Sequence, residues 1–221
     1  MELILGFLIL AYASFLDLKQ RAIDDKSWMA LVLLGLVFLA RDYTRTGSGV
    51  LLPFAFSVGF TFAIVVVLYY FGIMGSGDCK IILGISALVP LPVHFSIFPI
   101  FSLGVFTNAI VISLAIPFFF FVYNLNRLKD VRSPRDFLVL FLGYKKKGSD
   151  IGSFEVALET EGGIKLFLNT KNLELGHRLS TDRVVWVTPA IPFVVLITAG
   201  FLISALMGDF ISRASLIWSG I

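Results

Sequence analysis

The sequence predicts an all-α polytopic membrane protein: a bundle of six transmembrane helices with a small cytoplasmic α+β insertion. Three observations carry this expectation. Of 221 residues, 57% are hydrophobic and 15% charged, against roughly 45–50% and about 25% in an ordinary soluble domain. The apolar residues gather into six long stretches separated by polar breaks. One polar segment, residues 124–184, is long enough to fold on its own outside the hydrocarbon. The net charge of +3 is better explained by orientation in a bilayer than by nucleic-acid binding, so the lipid bilayer is an expected partner and nucleic acid is not.

The six stretches are 2–17, 27–40, 50–73, 78–93, 95–123 and 185–210. The first lacks the basic start and small-residue cleavage site of a secretory signal peptide, which predicts a retained helix. A straight helix crosses the hydrocarbon with about 20 residues, so the third, fifth and sixth stretches span unaided and the others are short. Residues 79–93 rise only about 22 Å as a helix, which implies a thinned or water-entered region on the side of Asp78. Pro90 and Pro92 end the fourth stretch, while Pro99, Pro117, Pro189 and Pro192 are placed to kink the fifth and sixth.

Inside the insertion, Ser133-Pro134-Arg135-Asp136 reads as a helix start, with Ser as cap, Pro in the first turn and an acid following. Phe137 to Leu142 continues it. With Lys145-Lys146-Lys147 it forms either a segment lying on the membrane surface or a solvated basic loop. Alternation at Phe154, Val156 and Leu158, then Gly162-Gly163 and Ile164 to Leu168, predicts a small β-hairpin. The expected organisation is 1–123 as helices one to five, 124–184 as the cytoplasmic subdomain, and 185–221 as helix six and tail.

With six spans, residues 17–26, 74–80 and 124–184 share one side and hold 15 of the 18 Lys and Arg. The two short loops alone hold Lys19, Arg21, Lys26 and Lys80, against Arg41, Arg45 and Arg213 opposite. By the positive-inside rule that side is cytoplasmic and the termini face out. Asp17 closes the first span and Asp78 opens the fourth, so both aspartates fall at one depth on the cytoplasmic side.

A carboxylate near hydrocarbon is expensive and marks a functional site by default. Two such groups within a few ångströms cannot both ionise, so one keeps its proton and the pair titrates as a unit. The ionised partner then serves as general base on a water while the protonated one polarises a carbonyl, with no cofactor beyond that catalytic water. Gly75 and Gly77, in Gly75-Ser76-Gly77-Asp78, allow a tight turn and close approach of a substrate chain; a helix-capping turn is the plainer reading of the same residues. Lys19, Arg21 and Lys80 read as cytoplasmic anchors that set topology or as charges that tune the dyad. A lone Cys79 supplies neither a disulfide nor a multi-cysteine metal site, and His94 and His177 lie too far along the chain to pair with it as a nucleophile. Asp42 and Asp209 read as solvated caps on the opposite side, and Trp28, Trp186 and Trp218 as interfacial anchors.

The run Asp17-Leu18-Lys19-Gln20-Arg21-Ala22-Ile23-Asp24-Asp25, paired with Gly75-Ser76-Gly77-Asp78-Cys79-Lys80, resembles the type IV prepilin peptidase family of membrane aspartic proteases with a Gly-x-Gly-Asp motif. The order of the motifs, the six spans and Val187-Thr188-Pro189-Ala190-Ile191-Pro192-Phe193 extend the likeness over the chain, and the length and insertion are most similar to the archaeal branch. The resemblance implies that Asp17 and Asp78 are catalytic. It implies partners that are flagellin- or pilin-like precursors, cut on the cytoplasmic face ahead of their apolar stretch. Without the cysteine cluster of many bacterial relatives, it also implies peptidase without methyltransferase activity. Asp24 stands where bacterial relatives often have Pro, which leaves two assignments open for Asp24 and Asp25.

Rival readings keep their place at this stage. A small proton- or ion-coupled transporter would use Asp17 and Asp78 as relay carboxylates, although such acids usually lie near the midplane and the chain shows no internal repeat. A noncatalytic assembly protein would use the insertion for docking. Presenilin-like proteases share Gly-x-Gly-Asp but carry the partner aspartate in the span immediately before it.

Overall fold

The computed structural model describes residues 1–21, 23–131, 133–160, 163–164 and 183–219. The chain divides into two compact units: Met1–Ile112 with Pro192–Ile221, and Ser113–Ile191.

The first unit is helical. Helices α1 (Glu2–Gln20), α2 (Asp25–Thr46), α3 (Leu51–Tyr70), α4 (Ser76–Leu88) and α5 (Phe101–Ser113) precede the insertion, and α8 (Phe193–Leu206) and α9 (Phe210–Ser219) follow it. The unit's core joins Leu10 of α1, Leu31 of α2, Ile81 and Ile85 of α4, and Ile197 and Phe201 of α8. Helix α3 shows why these helices belong in lipid. Its buried residues are Ser57, Thr61 and Val65, while Leu52, Phe62, Val67 and Tyr70 point outward. The small polar side chains knit helices together: Ser57 Oγ donates to the Ser86 carbonyl at 3.0 Å and Thr61 Oγ1 lies 2.7 Å from Ser102 Oγ. Polar groups inside and apolar ones outside is the arrangement that a hydrocarbon solvent favours.

Among the described residues, three helices are long and apolar enough to cross a membrane: Asp25–Thr46, Ser48–Tyr70 and Phe101–Tyr123. The pair Phe193–Leu206 and Phe210–Trp218, bent by 45°, makes a fourth if it counts as one span. Six crossings therefore go beyond what length and composition support. Helix α4 has 13 residues, about 20 Å of rise, short of the roughly 30 Å hydrocarbon core. It stops at Leu88 because Val89, with φ −130° and ψ 91°, takes the extended backbone required of a residue before Pro90.

The fifth stretch begins later than expected, at Phe101, so Pro99 lies outside it. It breaks at Leu114, after which α6 (Ala115–Tyr123) resumes; the ring of Pro117 opposes the carbonyl of Ser113, where α5 ends. The sixth stretch needs the largest correction. Residues Val184–Pro189 are a strand, β5, and Pro192 is the N-cap of α8 rather than a kink within it. The run Val184-Val185-Trp186-Val187-Thr188 is β-branched and aromatic, and it pairs on both edges.

The second unit is the α+β insertion. Helix α7 (Pro134–Val139) opens with the expected cap: Ser133 Oγ accepts from the Asp136 N–H at 3.2 Å, and the Asp136 carboxylate accepts from the Ser133 N–H at 3.0 Å. The amide of the buried Asn124 donates to the carbonyls of Phe120, Leu140 and Gly143, fastening the end of α6 to the turn after α7. Strands β1 (Tyr144–Lys147), β5 and β2 (Glu155–Ala157) form an antiparallel sheet in the order β1-β5-β2, with Val187 opposite both Tyr144 and Ala157.

Lys145-Lys146-Lys147 is thus part of a strand and not a loop. Lys146 Nζ lies 2.8 Å from Glu155 Oε2, and Lys145 Nζ stands 5.4 Å from the centre of the Trp186 ring. Trp186 is buried with Val139, Leu140 and Leu158, so it is a core residue and not an interfacial anchor. The hairpin forms between β3 (Glu159–Thr160) and β4 (Gly163–Ile164), whereas β2, expected to lead into it, pairs with β5. Residues 165–168 of the expected hairpin lie outside the described residues.

Of the two aspartates expected as solvated caps at the other end of the first unit, Asp209 caps the start of α9 but is buried, and Asp42 is open to solvent, with its side chain 41% exposed. Asp209 is 1% exposed. It accepts from the Ser212 N–H, the Ser212 hydroxyl and the Ser96 hydroxyl at the bend between α8 and α9. Asp42 is paired with Arg41, which also holds Glu2 at 2.5 Å.

Two outcomes follow from this packing. A Cβ at Gly35 of α2 would run into the Ala87 carbonyl of α4, so Gly35→Ala should cost about 1–3 kcal/mol by overpacking, read from denaturant unfolding in detergent. In the insertion, burial pushes the Glu155 carboxyl up, but hydrogen bonds from Lys146, Tyr144 and the Gly152 N–H outweigh it and hold the group below its usual 4.5. The Glu155 proton is therefore bound more weakly in the folded state, and the stability it contributes is present above about pH 4.5 and lost as pH falls through the lowered value. Thermal unfolding from pH 6 to 3 should show this slope in the wild type and a shallower one in Glu155→Gln.

Candidate active site

Asp17 lies in the last turn of α1 and is buried, at 8% exposure. Its position is fixed by α8. Pro192 caps that helix and leaves the first amides of α8 without intrahelical partners. One of these, the Val194 N–H, donates to Asp17 Oδ2 at 3.3 Å. Nearer the N-terminus of α1, Ser14 Oγ lies 2.7 Å from Thr198 Oγ1, and Thr198 Oγ1 also donates to the carbonyl of Leu10 at 3.2 Å. The carboxylate thus faces the positive end of a helix dipole from another part of the chain.

Asp78 is the third residue of α4, after an extended Gly75 at the N-cap. Its carboxylate reaches back to accept from the Gly75 N–H, the acid half of a capping box. Each aspartate is therefore held by a backbone amide of a helix's first turn, Asp17 by that of α8 and Asp78 by that of α4. Helices α1 and α4 touch, and the Asp17 carboxylate acts electrostatically on Asp78. Asp17 is buried and Asp78 is half-buried.

The other expected residues separate into distinct roles. Gly77 makes room for Ile23: a Cβ there would lie 2.5 Å from Ile23 Cδ1. The isoleucine of the first motif thus packs on the glycine within the second. Arg21 takes the left-handed conformation at φ 52° as C-cap of α1, donates its N–H to the Asp17 carbonyl at 3.0 Å, and its charge acts on the Asp17 carboxylate. Lys19 is exposed and is not drawn into the site. Lys80 pairs with Asp25 at 2.5 Å. Asp24 is the N-cap of α2, accepting from the Lys26 N–H at 3.1 Å, so the two neighbouring acids divide capping and charge pairing between them.

Sequence reasoning missed Ser14, on α1 itself, and its partners across the chain, Val194 and Thr198, which lie 177 residues from Asp17 and 184 from Ser14 respectively. The available signal for that end of α8 was Pro192 before an apolar run, which reads equally as a helix start and as the kink expected there. Cys79 is buried and its Sγ donates to the Val65 carbonyl at 3.6 Å, tying α4 to α3. Among the described residues, no three of His, Cys, Asp and Glu gather as a metal-ligand set.

Filling the Gly77 space tests this geometry. Gly77→Val must displace Ile23 and the turn that carries Asp78, so activity should fall by at least about tenfold while the protein still inserts. Ile23→Ala in the same background should restore part of it. Turnover per folded enzyme is the measurement.

Residues 4–121 match the type IV leader peptidase family, and residues 135–210 match the archaeal peptidase A24 C-terminus, type II. The chain is 31% identical to the preflagellin peptidase of Methanocaldococcus jannaschii, over 93% of each chain. It is 28% identical to that of Methanococcus voltae, over 93% of this chain and 94% of the relative. It is 27% identical to that of Methanococcus maripaludis, over 94% and 95% respectively. With more than half of its length matched by the family and a relative of this identity covering nearly all of it, the chain belongs to the type IV leader peptidase family.

Proposed function

We propose that this peptidase removes the leader peptide from flagellin- or pilin-like precursors at the cytoplasmic membrane face, with Asp17 and Asp78 as the catalytic pair. The observation that supports this most is the pairing itself. Two carboxylates from distant parts of the chain, at the end of α1 and the start of α4, lie near enough to act on each other electrostatically, and each is held by a helix-start amide. The names of the full-length relatives supply the substrate class.

We read six helical segments as membrane-embedded: α1, α2, α3, α4, Phe101–Tyr123 and the α8–α9 pair. Alternating direction puts the end of α1 and the start of α4 on one face, and the Lys and Arg distribution makes that face cytoplasmic. A precursor with a charged leader ahead of an apolar helix would present its junction at this level.

The chemistry is hydrolysis by a shared-proton pair. The ionised carboxylate takes a proton from water as the water oxygen bonds to the scissile carbonyl carbon. The protonated carboxyl hydrogen-bonds the carbonyl oxygen and stabilises the charge that develops there. Collapse of the tetrahedral adduct breaks the C–N bond, and the leaving nitrogen takes the proton held by the first carboxylate. No cofactor other than water enters this scheme, and no methyl transfer is assigned to the chain.

Asp17→Asn and Asp78→Asn keep side chains that still accept from Val194 and Gly75, so both should fold. Each should lose about 10²–10⁴-fold in cleavage of a co-reconstituted flagellin-type precursor. Full cleavage by either variant would sink the assignment. Proton-coupled solute flux that disappears in the same variants, without precursor cleavage by the wild type, would restore the transporter reading.

A further inference from the structure

This inference rests on the peptidase reading above. The start of α2 is stitched to the start of α4 by contacts that involve neither carboxylate of the pair. Lys80 lies two residues beyond Asp78, and its Nζ meets Asp25 Oδ1 at 2.5 Å. The same oxygen accepts from Trp28 Nε1 at 2.9 Å. The Lys80 ammonium also stands 5.8 Å from the centre of the Trp28 ring, within cation–π range. Three side chains thus close a small network in which each touches the other two.

The side chains of Lys80 and Asp25 are 43% and 63% exposed. An ion pair so open to solvent contributes little to global stability. Its position gives it a different use. Asp25 opens α2 a few residues past the turn that ends α1, the helix of Asp17. Lys80 projects from the helix that bears Asp78. A topology anchor needs only a solvated ammonium on the cytoplasmic side; it does not need a partner held in place by an indole. Trp28 fixes the Asp25 oxygen, and that oxygen in turn fixes the reach of Lys80.

We infer that Asp25, Trp28 and Lys80 are positioning residues, a brace that sets the turn carrying Asp78 against the end of α1 so that the two carboxylates hold the separation hydrolysis requires. None of the three touches the reacting atoms. Because misplacement of about 1 Å can cost about 10²-fold in rate, the brace acts on turnover far more than on folding.

The test is cleavage of a flagellin-type precursor in proteoliposomes, with kcat and KM measured for wild type, Lys80→Met, Asp25→Ala, the double variant and Lys80→Arg. Folded amount and Tm are recorded for each. The single neutral variants should lose at least about tenfold in kcat, with KM and Tm unchanged. The double variant should be no worse than either single one, because the two residues act through one contact. Lys80→Arg should recover most of the turnover.

Wild-type turnover in the single variants would overturn the brace. So would a fall in Tm that accounts for the lost activity, or a rise in KM at constant kcat, which would assign the trio to substrate binding. Asp17→Asn and Asp78→Asn run alongside: cleavage by either sinks the peptidase assignment, whereas dead dyad variants beside fully active brace variants sink only the brace.

Discussion

The structure depends on the placement of α4, a helix too short to cross a bilayer and therefore located by its neighbours rather than by lipid. Its residues Ile81, Ile82, Ile85 and Leu88 are buried, and Gly35 and Gly84 let it approach α2 until the Gly84 Cα faces Leu31. Helix α3 holds another side through Ser57 and the Cys79 sulfur. A 13-residue helix gripped in this way holds its first turn, with Asp78, by side-chain packing against α2 and α3.

Both carboxylates exploit the same backbone property. The first amides of a helix lack intrahelical acceptors and carry the positive end of the dipole, which stabilises a negative charge even where water is scarce. Asp78 uses the start of its own helix, and Asp17 uses the start of α8, which the chain reaches only after the insertion. Pro192 thereby matters to the site, because as N-cap it determines where α8 begins and which amide is left for Asp17.

The inversion of polarity in α3, with hydroxyls inside and aromatic and aliphatic residues outside, follows from the solvent. Where lipid tails are as apolar as a core, hydrophobic burial no longer selects the interior, and interhelical hydrogen bonds and small residues do. The same principle accounts for Ser14 and Thr198 between α1 and α8 and for Asn108, which donates to Ser204 and to the Gly208 carbonyl at the α8–α9 bend. The insertion obeys the opposite rule: Val139, Leu140, Leu158 and Trp186 form an apolar core, and Lys146 and Glu155 pair nearer the surface.

The sequence by itself determined the helical membrane character, the break between helices and insertion, the Ser133 capping box and the two aspartates with their glycines. Each is local, set by composition, by residue type at a turn or by motif spacing. Only the tertiary structure decided that 184–189 is a strand, because an apolar run of six residues does not distinguish helix from strand until partners on both edges supply its hydrogen bonds. It alone decided that Lys145 to Lys147 form one of those edges and that Asp209 is buried. The contact between Ile23 and Gly77, the Asp25–Lys80 pair and the Val194 amide on Asp17 likewise join residues separated by 54, 55 and 177 positions. Such contacts follow from which helices pack together, and one sequence carries no local signal of that choice.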